Sequence, residues 1–157
     1  MARQTVVLGL SLGTRLMGIA ILRNRDLVDW EIRSFPGCWS VRKLKITLVA
    51  LRRLISDTAP SIIAIHAPEK FQGSKGLNLL QMAIESLAEE EHIPLRCYSL
   101  AALKRHCSKE KICKREMADF ILEKYPALSR EYDKERWYKR PYYSKVFEAA
   151  LAGRLCT

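Results

Sequence analysis

The stretch VVLGLSLGTRLMGIAIL, from Val6 to Leu22, constrains the fold more than any other part of the chain. Two aliphatic runs flank Gly13, Thr14 and Arg15, which spells a buried strand, a tight turn and a second strand. Glycine suits such a turn because it accepts positive φ and close approach of another backbone. The residue at the mouth of this turn is Ser11, the one polar side chain in the first of these aliphatic runs.

The rest of the chain reads as a continuation of that hairpin. Aliphatic and β-branched residues predict strands over Val6–Leu10, Met17–Arg23 and Leu27–Phe35, with a turn at Asn24 to Asp26. After the breaker PGCWS, Val41, Leu44, Leu48, Leu51 and Ile55 share one face of a helix, Arg42, Lys45, Arg52 and Arg53 turn largely away, and Ser40 is its expected N-cap. SIIAIHA is a short apolar strand ending at His66, of the kind buried on both faces of a parallel sheet. A second amphipathic helix follows with Leu77, Leu80, Ile84 and Leu87 inward and Glu85, Glu89 and Glu90 outward, then a fifth strand at PLRCYS. Helices are predicted over Leu100–Cys107, Lys111–Lys124 and Tyr142–Leu155, and the charged, aromatic SREYDKERWYKRP (Ser129 to Pro141) is expected to be a mobile loop. The order β-β-β-α-β-α-β-α-α-α gives an α/β fold: an antiparallel meander continued by two parallel crossover strands, hence a mixed five-stranded sheet flanked by helices.

With 157 residues and no linker-like or low-complexity tract, residues 1–157 are expected to form a single domain. No apolar run approaches the roughly 20 residues of a membrane span, and MARQTVV lacks the pattern of a secretory signal, so no membrane partner is expected and the expected location is cytoplasmic. Five cysteines with no CxxC pair read as reduced thiols, and the spacing of Cys107 and Cys113 beside His106 is a poor match to zinc ligation. The net charge of +10 and a pI near 9.6 make a polyanion, and nucleic acid in particular, the leading partner class.

The motif LGLSLGTRLMGIAIL resembles the first hairpin of the RuvC-type Holliday-junction resolvases and their relatives in the RNase H-like superfamily. Gly13, Thr14, Arg15 and Gly18 match that family's turn, AIHAPEKF stands where it has a strand ending in glutamate, LRCYSLAALKRH resembles its strand and basic helix start, and KVFEAALAG its small-residue last helix. The resemblance implies an RNase H-like domain whose catalytic positions are Ser11, His66 and Glu148. Such nucleases gather carboxylates there because two divalent cations about 4 Å apart require hard anionic oxygens. Here Glu148 alone is acidic, and the companion acid one helical turn earlier falls near Ser144 or Lys145. A hydroxyl offsets no cationic charge and imidazole favours softer metals than magnesium. The expectation is a degenerate site with no cofactor and no bound metal, magnesium or manganese entering only if residual nuclease activity persists.

Two routes to a retained activity are visible in the sequence: Glu69 reaching back past Pro68 into the site, or His66 acting as general base or zinc or manganese ligand. The resemblance also places Lys104, Lys114 and Arg115 where the family has lysines that approach the nucleic-acid backbone, and Arg15 sits beside the same mouth. The basic run KRHCSKEKICKRE suits phosphate neutralisation, and WYKRPYY has a composition suited to stacking on unpaired bases, although each equally describes a solvated face or a packed loop. Three readings compete: a non-catalytic nucleic-acid-binding protein, DNA being the expected partner; an active structure-specific endonuclease with substituted ligands; and a scaffold or regulatory protein. The oligomeric state is open, a homodimer included.

Overall fold

The computed structural model describes residues 4–67, 74–108, 113–138 and 144–157, with 135–138 described as backbone only. The chain runs β1 (Val6–Ser11), β2 (Leu16–Arg23), β3 (Asp26–Ser34), α1 (Val41–Thr58), β4 (Ile62–His66), α2 (Lys75–Glu90), β5 (Leu95–Tyr98), α3 (Leu100–Cys107), α4 (Lys114–Lys124), a 3₁₀ turn (Pro126–Leu128), α5 (Ser129–Tyr138) and α6 (Ser144–Leu155). The sheet order is β3-β2-β1-β4-β5. The pairs β1·β2 and β2·β3 are antiparallel, and β1·β4 and β4·β5 are parallel. The mixed five-stranded sheet expected from the element order is therefore present. The β2–β3 turn is made by Asn24 and Arg25, both at positive φ (50° and 73°), and the Tyr125 hydroxyl donates to the Arg25 carbonyl at 2.7 Å.

Alternation along the strands sorts side chains into two cores, one on each face. Leu8, Leu10, Ile19, Ile63 and Ile65 face α1 and α2 together with Leu51, Ile55, Leu80, Ile84 and Leu87. Val7, Ala20, Leu22 and Ala64 face the other way, toward Leu103, Met117, Ile121 and the buried face of α6. On that second face the strands are lined with small residues, which lets α6 lie almost on the sheet. A Cβ at Gly9 would stand 2.2 Å from the Ala149 carbonyl oxygen, and one at Gly18 would stand 2.0 Å from that of Lys145. Both glycines are needed for this close approach of backbone to backbone.

Two expectations are corrected. In α1 the buried residues are Lys43, Thr47, Leu51 and Ile55, while Val41 is 68% exposed and Leu44 and Leu48 are only partly buried. Polar side chains can occupy this inward row because the Lys43 ammonium donates to the Gly37 carbonyl at 2.8 Å and the Thr47 hydroxyl to the Lys43 carbonyl at 2.9 Å. The second correction concerns SREYDKERWYKRP, which is helical over Ser129–Tyr138. Its apolar content is too low for a helical stripe, but Tyr132 anchors it, bonding Asp119 through its hydroxyl and setting its ring 6.2 Å from that of Phe147. Glu131 and Lys134, three apart, have the spacing at which opposite charges support a helix. The predicted helix starts at Lys111 and Tyr142 lie outside the described residues, whose helices begin at Lys114 and Ser144.

Candidate nucleic-acid interface

Strand alternation decides which residues can meet at the carboxyl end of the parallel strands. Ser11 closes β1 and is the register partner of both Gly18 on β2 and His66 on β4. Ser11 and His66 therefore point to the same face as Gly9 and Ala64, the face that α6 covers. Because the glycines bring α6 so near, Glu148 descends into the space between them. The Ser11 hydroxyl donates to Glu148 Oε2 at 2.7 Å, and His66 Nε2 stands 3.6 Å from the same oxygen. The structure thus brings together Ser11, His66 and Glu148, three residues far apart in sequence. They are 0%, 9% and 3% exposed, so this is a dry polar cluster and its partners matter.

The other groups in the cluster are cationic. Lys114, at the start of α4, places Nζ 3.6 Å from Glu148 Oε1 while its own side chain stays largely in solvent. Lys145 lies three residues before Glu148, on the same face of α6. Its Nζ donates to the Leu12 carbonyl at 3.0 Å, at the mouth of the β1–β2 turn. Burial pulls the Lys145 ammonium below its ordinary range, and the nearby Lys114 charge adds to this while Glu148 opposes it. His66 is also held below its ordinary value, chiefly by burial, against the pull of Glu148 and of its contact with the Tyr98 carbonyl. That contact is 3.1 Å from Nδ1, so Nδ1 carries the proton and donates, a carbonyl having none to give. In the neutral ring Nε2 then presents a lone pair toward Glu148, which explains a separation beyond hydrogen-bond length.

These residues do not fit a pair of divalent cations. Such a pair needs several anionic oxygens, and among the described residues the cluster supplies one carboxylate, already engaged by the Ser11 hydroxyl and the Lys114 ammonium. Lys145 puts a positive charge where the nuclease pattern has a second acid, so cation would face cation. Among the described residues no group of three or more His, Cys, Asp or Glu side chains is arranged to hold a metal.

The remaining predicted residues are distributed more widely. Arg15 is exposed in the β1–β2 turn, and its carbonyl accepts from Phe35 N–H at 2.7 Å. Lys104 is half-buried in the last turn of α3, and Arg115 is exposed in the first turn of α4. Arg115 interacts with the Tyr132 hydroxyl, and no contact among the described residues joins either it or Lys104 to Glu148. His106 packs edge-on against Phe120, 6.0 Å between centroids, away from any zinc arrangement with Cys107 and Cys113. Glu69, Tyr142 and Tyr143 lie outside the described residues, as do the side chains of Trp137 and Tyr138. Sequence reasoning marked Lys145 only as the place of a missing acid. The signal for its membership in the site was the three-residue spacing to Glu148, which aligns the two on one helical face.

No known protein-family profile matches the sequence, and no curated protein matches it either. Solved structures do. The structure is similar to T. thermophilus RuvC in complex with its Holliday-junction substrate, with a TM-score of 0.74 and 14% identity over 96% of this chain and 91% of that one. It is similar also to a second Thermus thermophilus RuvC structure, at a TM-score of 0.71 and 14% identity over 96% and 92% of the two chains. Among the described residues no helix is long and apolar enough to cross a membrane. Nearly the whole chain, with its five-stranded mixed sheet and its last helix laid over β1, β2 and β4, therefore has the RuvC-type, RNase H-like fold.

Proposed function

We propose that this protein binds nucleic acid, with DNA as the favoured partner, as a RuvC-like domain that has lost metal-dependent cleavage. The observation that carries this reading is the composition of the cluster at the end of β1 and β4, where one carboxylate, Glu148, meets a serine, a neutral histidine and two lysines. A site so built repels divalent cations and attracts phosphates. The surplus of ten positive charges supports the same partner. Arg15, Lys104, Lys114 and Arg115 act as phosphate contacts, which position a polyanion without reading its sequence. Ser11, His66 and Glu148 hold the cleft together and perform no chemistry.

The test is a gel-shift titration across salt, using a four-way junction, a duplex and single strands of DNA and RNA, with and without Mg²⁺ and Mn²⁺. Binding should weaken linearly in log affinity against log salt and should not require a divalent cation. Affinity indifferent to salt, or binding that appears only with Mg²⁺, would overturn the proposal.

A further inference from the structure

We infer that Lys145 and Lys114 together hold a phosphate of the bound nucleic acid in the cleft over Glu148, two ammonium groups taking the place that cations occupy in a metal-dependent nuclease of this fold. The inference rests on the nucleic-acid reading above and adds to it one defined anion site and one residue, Lys145, outside the surface contacts already named.

Three observations carry it. The first is charge balance: the Glu148 carboxylate has its two oxygens engaged by the Ser11 hydroxyl and by Lys114, and among the described residues no carboxylate lies within ion-pair distance of Lys145. Its ammonium donates to the neutral carbonyl of Leu12, which uses one of three N–H donors. The second is access. Lys145 is only partly buried and the Lys114 side chain is 59% exposed, and Gly13 brings no side chain beside the Lys145 ammonium, where a Cβ would lie 3.4 Å from Nζ. The third is convergence. Lys145 comes from α6 and Lys114 from α4, close enough for the Lys114 charge to act on Lys145, so cations from two elements meet beside Glu148. A half-buried ammonium whose charge is disfavoured by burial and by a neighbouring lysine gains most when an anion arrives.

Two measurements test this. In the unmodified protein, inorganic phosphate should move the amide signals of Gly13, Lys145 and Ser11 saturably, and shifts absent there or scattered evenly over basic surfaces would overturn the site. In duplex-DNA binding, Lys145→Met should lower the slope of log affinity against log salt by about one, and Lys145→Arg should retain it. If the unmodified protein binds no nucleic acid, the functional reading falls and this inference with it. If it binds and Lys145→Met keeps the full slope while Lys114→Ala loses part of it, the Lys145 site alone is refuted. Should Lys145→Met fail to fold, the phosphate titration on the unmodified protein decides.

Discussion

Replacing Ser11 by Asp and His66 by Glu tests whether the cluster is a former metal site closed by its own lysines. Both positions face Glu148, whose Oε2 lies 2.7 Å from the Ser11 hydroxyl oxygen and 3.6 Å from His66 Nε2. The double variant sets three carboxylates in a buried space against two ammonium groups. It forfeits the charge-assisted Ser11 hydrogen bond, a cost of about 1.5–3 kcal/mol, and adds repulsion among acids that raises their pKa values. Without divalent cation it should therefore melt below the parent. A cation held only by the folded state contributes about 2.7 kcal/mol at 100 times its Kd, and roughly 2–4 °C per kcal/mol for a chain of this size gives a rise of about 5–11 °C. Lys145 still opposes the metal in that variant, so adding Lys145→Asp should tighten binding further. The expected order of Mg²⁺ and Mn²⁺ responses in thermal unfolding at constant ionic strength is parent, then double, then triple variant. Equal responses in all three would mean that these positions do not share a site, and the reasoning would fail.

Other consequences are simpler to measure. Ser11→Ala leaves Glu148 without its closest donor and should cost about 1.5–3 kcal/mol in chemical denaturation. His66 is held below its ordinary value of 6.5 in the folded protein, so below that pH the unfolded chain binds more protons and stability declines as pH falls from about 6.5 toward the folded value. His66→Gln should flatten that decline between pH 7 and 5, and an unchanged profile would count against the buried neutral ring. Lys104→Ala, Lys114→Ala and Arg115→Ala should each reduce the salt slope of DNA binding by about one, with little dependence on base sequence.

The fold was legible because its strongest signals are local. The Val6–Leu22 hairpin, the apolar β4 and the period of α2 each specify an element whatever surrounds it. Ser11, His66 and Glu148 could be placed together only through a resemblance, since they are separated by 55 and 82 residues and the register that joins them is a property of the sheet. Lys43 and Thr47 escaped a reading by hydrophobicity because their burial depends on hydrogen bonds to carbonyls, which side-chain type does not reveal. The helix at Ser129–Tyr138 escaped it for a related reason: Tyr132 holds it through Asp119 and Phe147, contacts that exist only once α4 and α6 are packed. Lys145 had a legible spacing to Glu148, but its role follows from its depth and from its bond to Leu12.

The central claim is that this RuvC-type fold engages nucleic acid without cutting it. Its most direct test is a four-way DNA junction incubated with excess protein in Mg²⁺, with binding and strand integrity read from the same sample, beside a Glu148→Ala control. The account predicts a shifted and intact junction. Cleavage that occurs with the parent protein and disappears with Glu148→Ala would contradict it, since a contaminating nuclease is indifferent to that substitution.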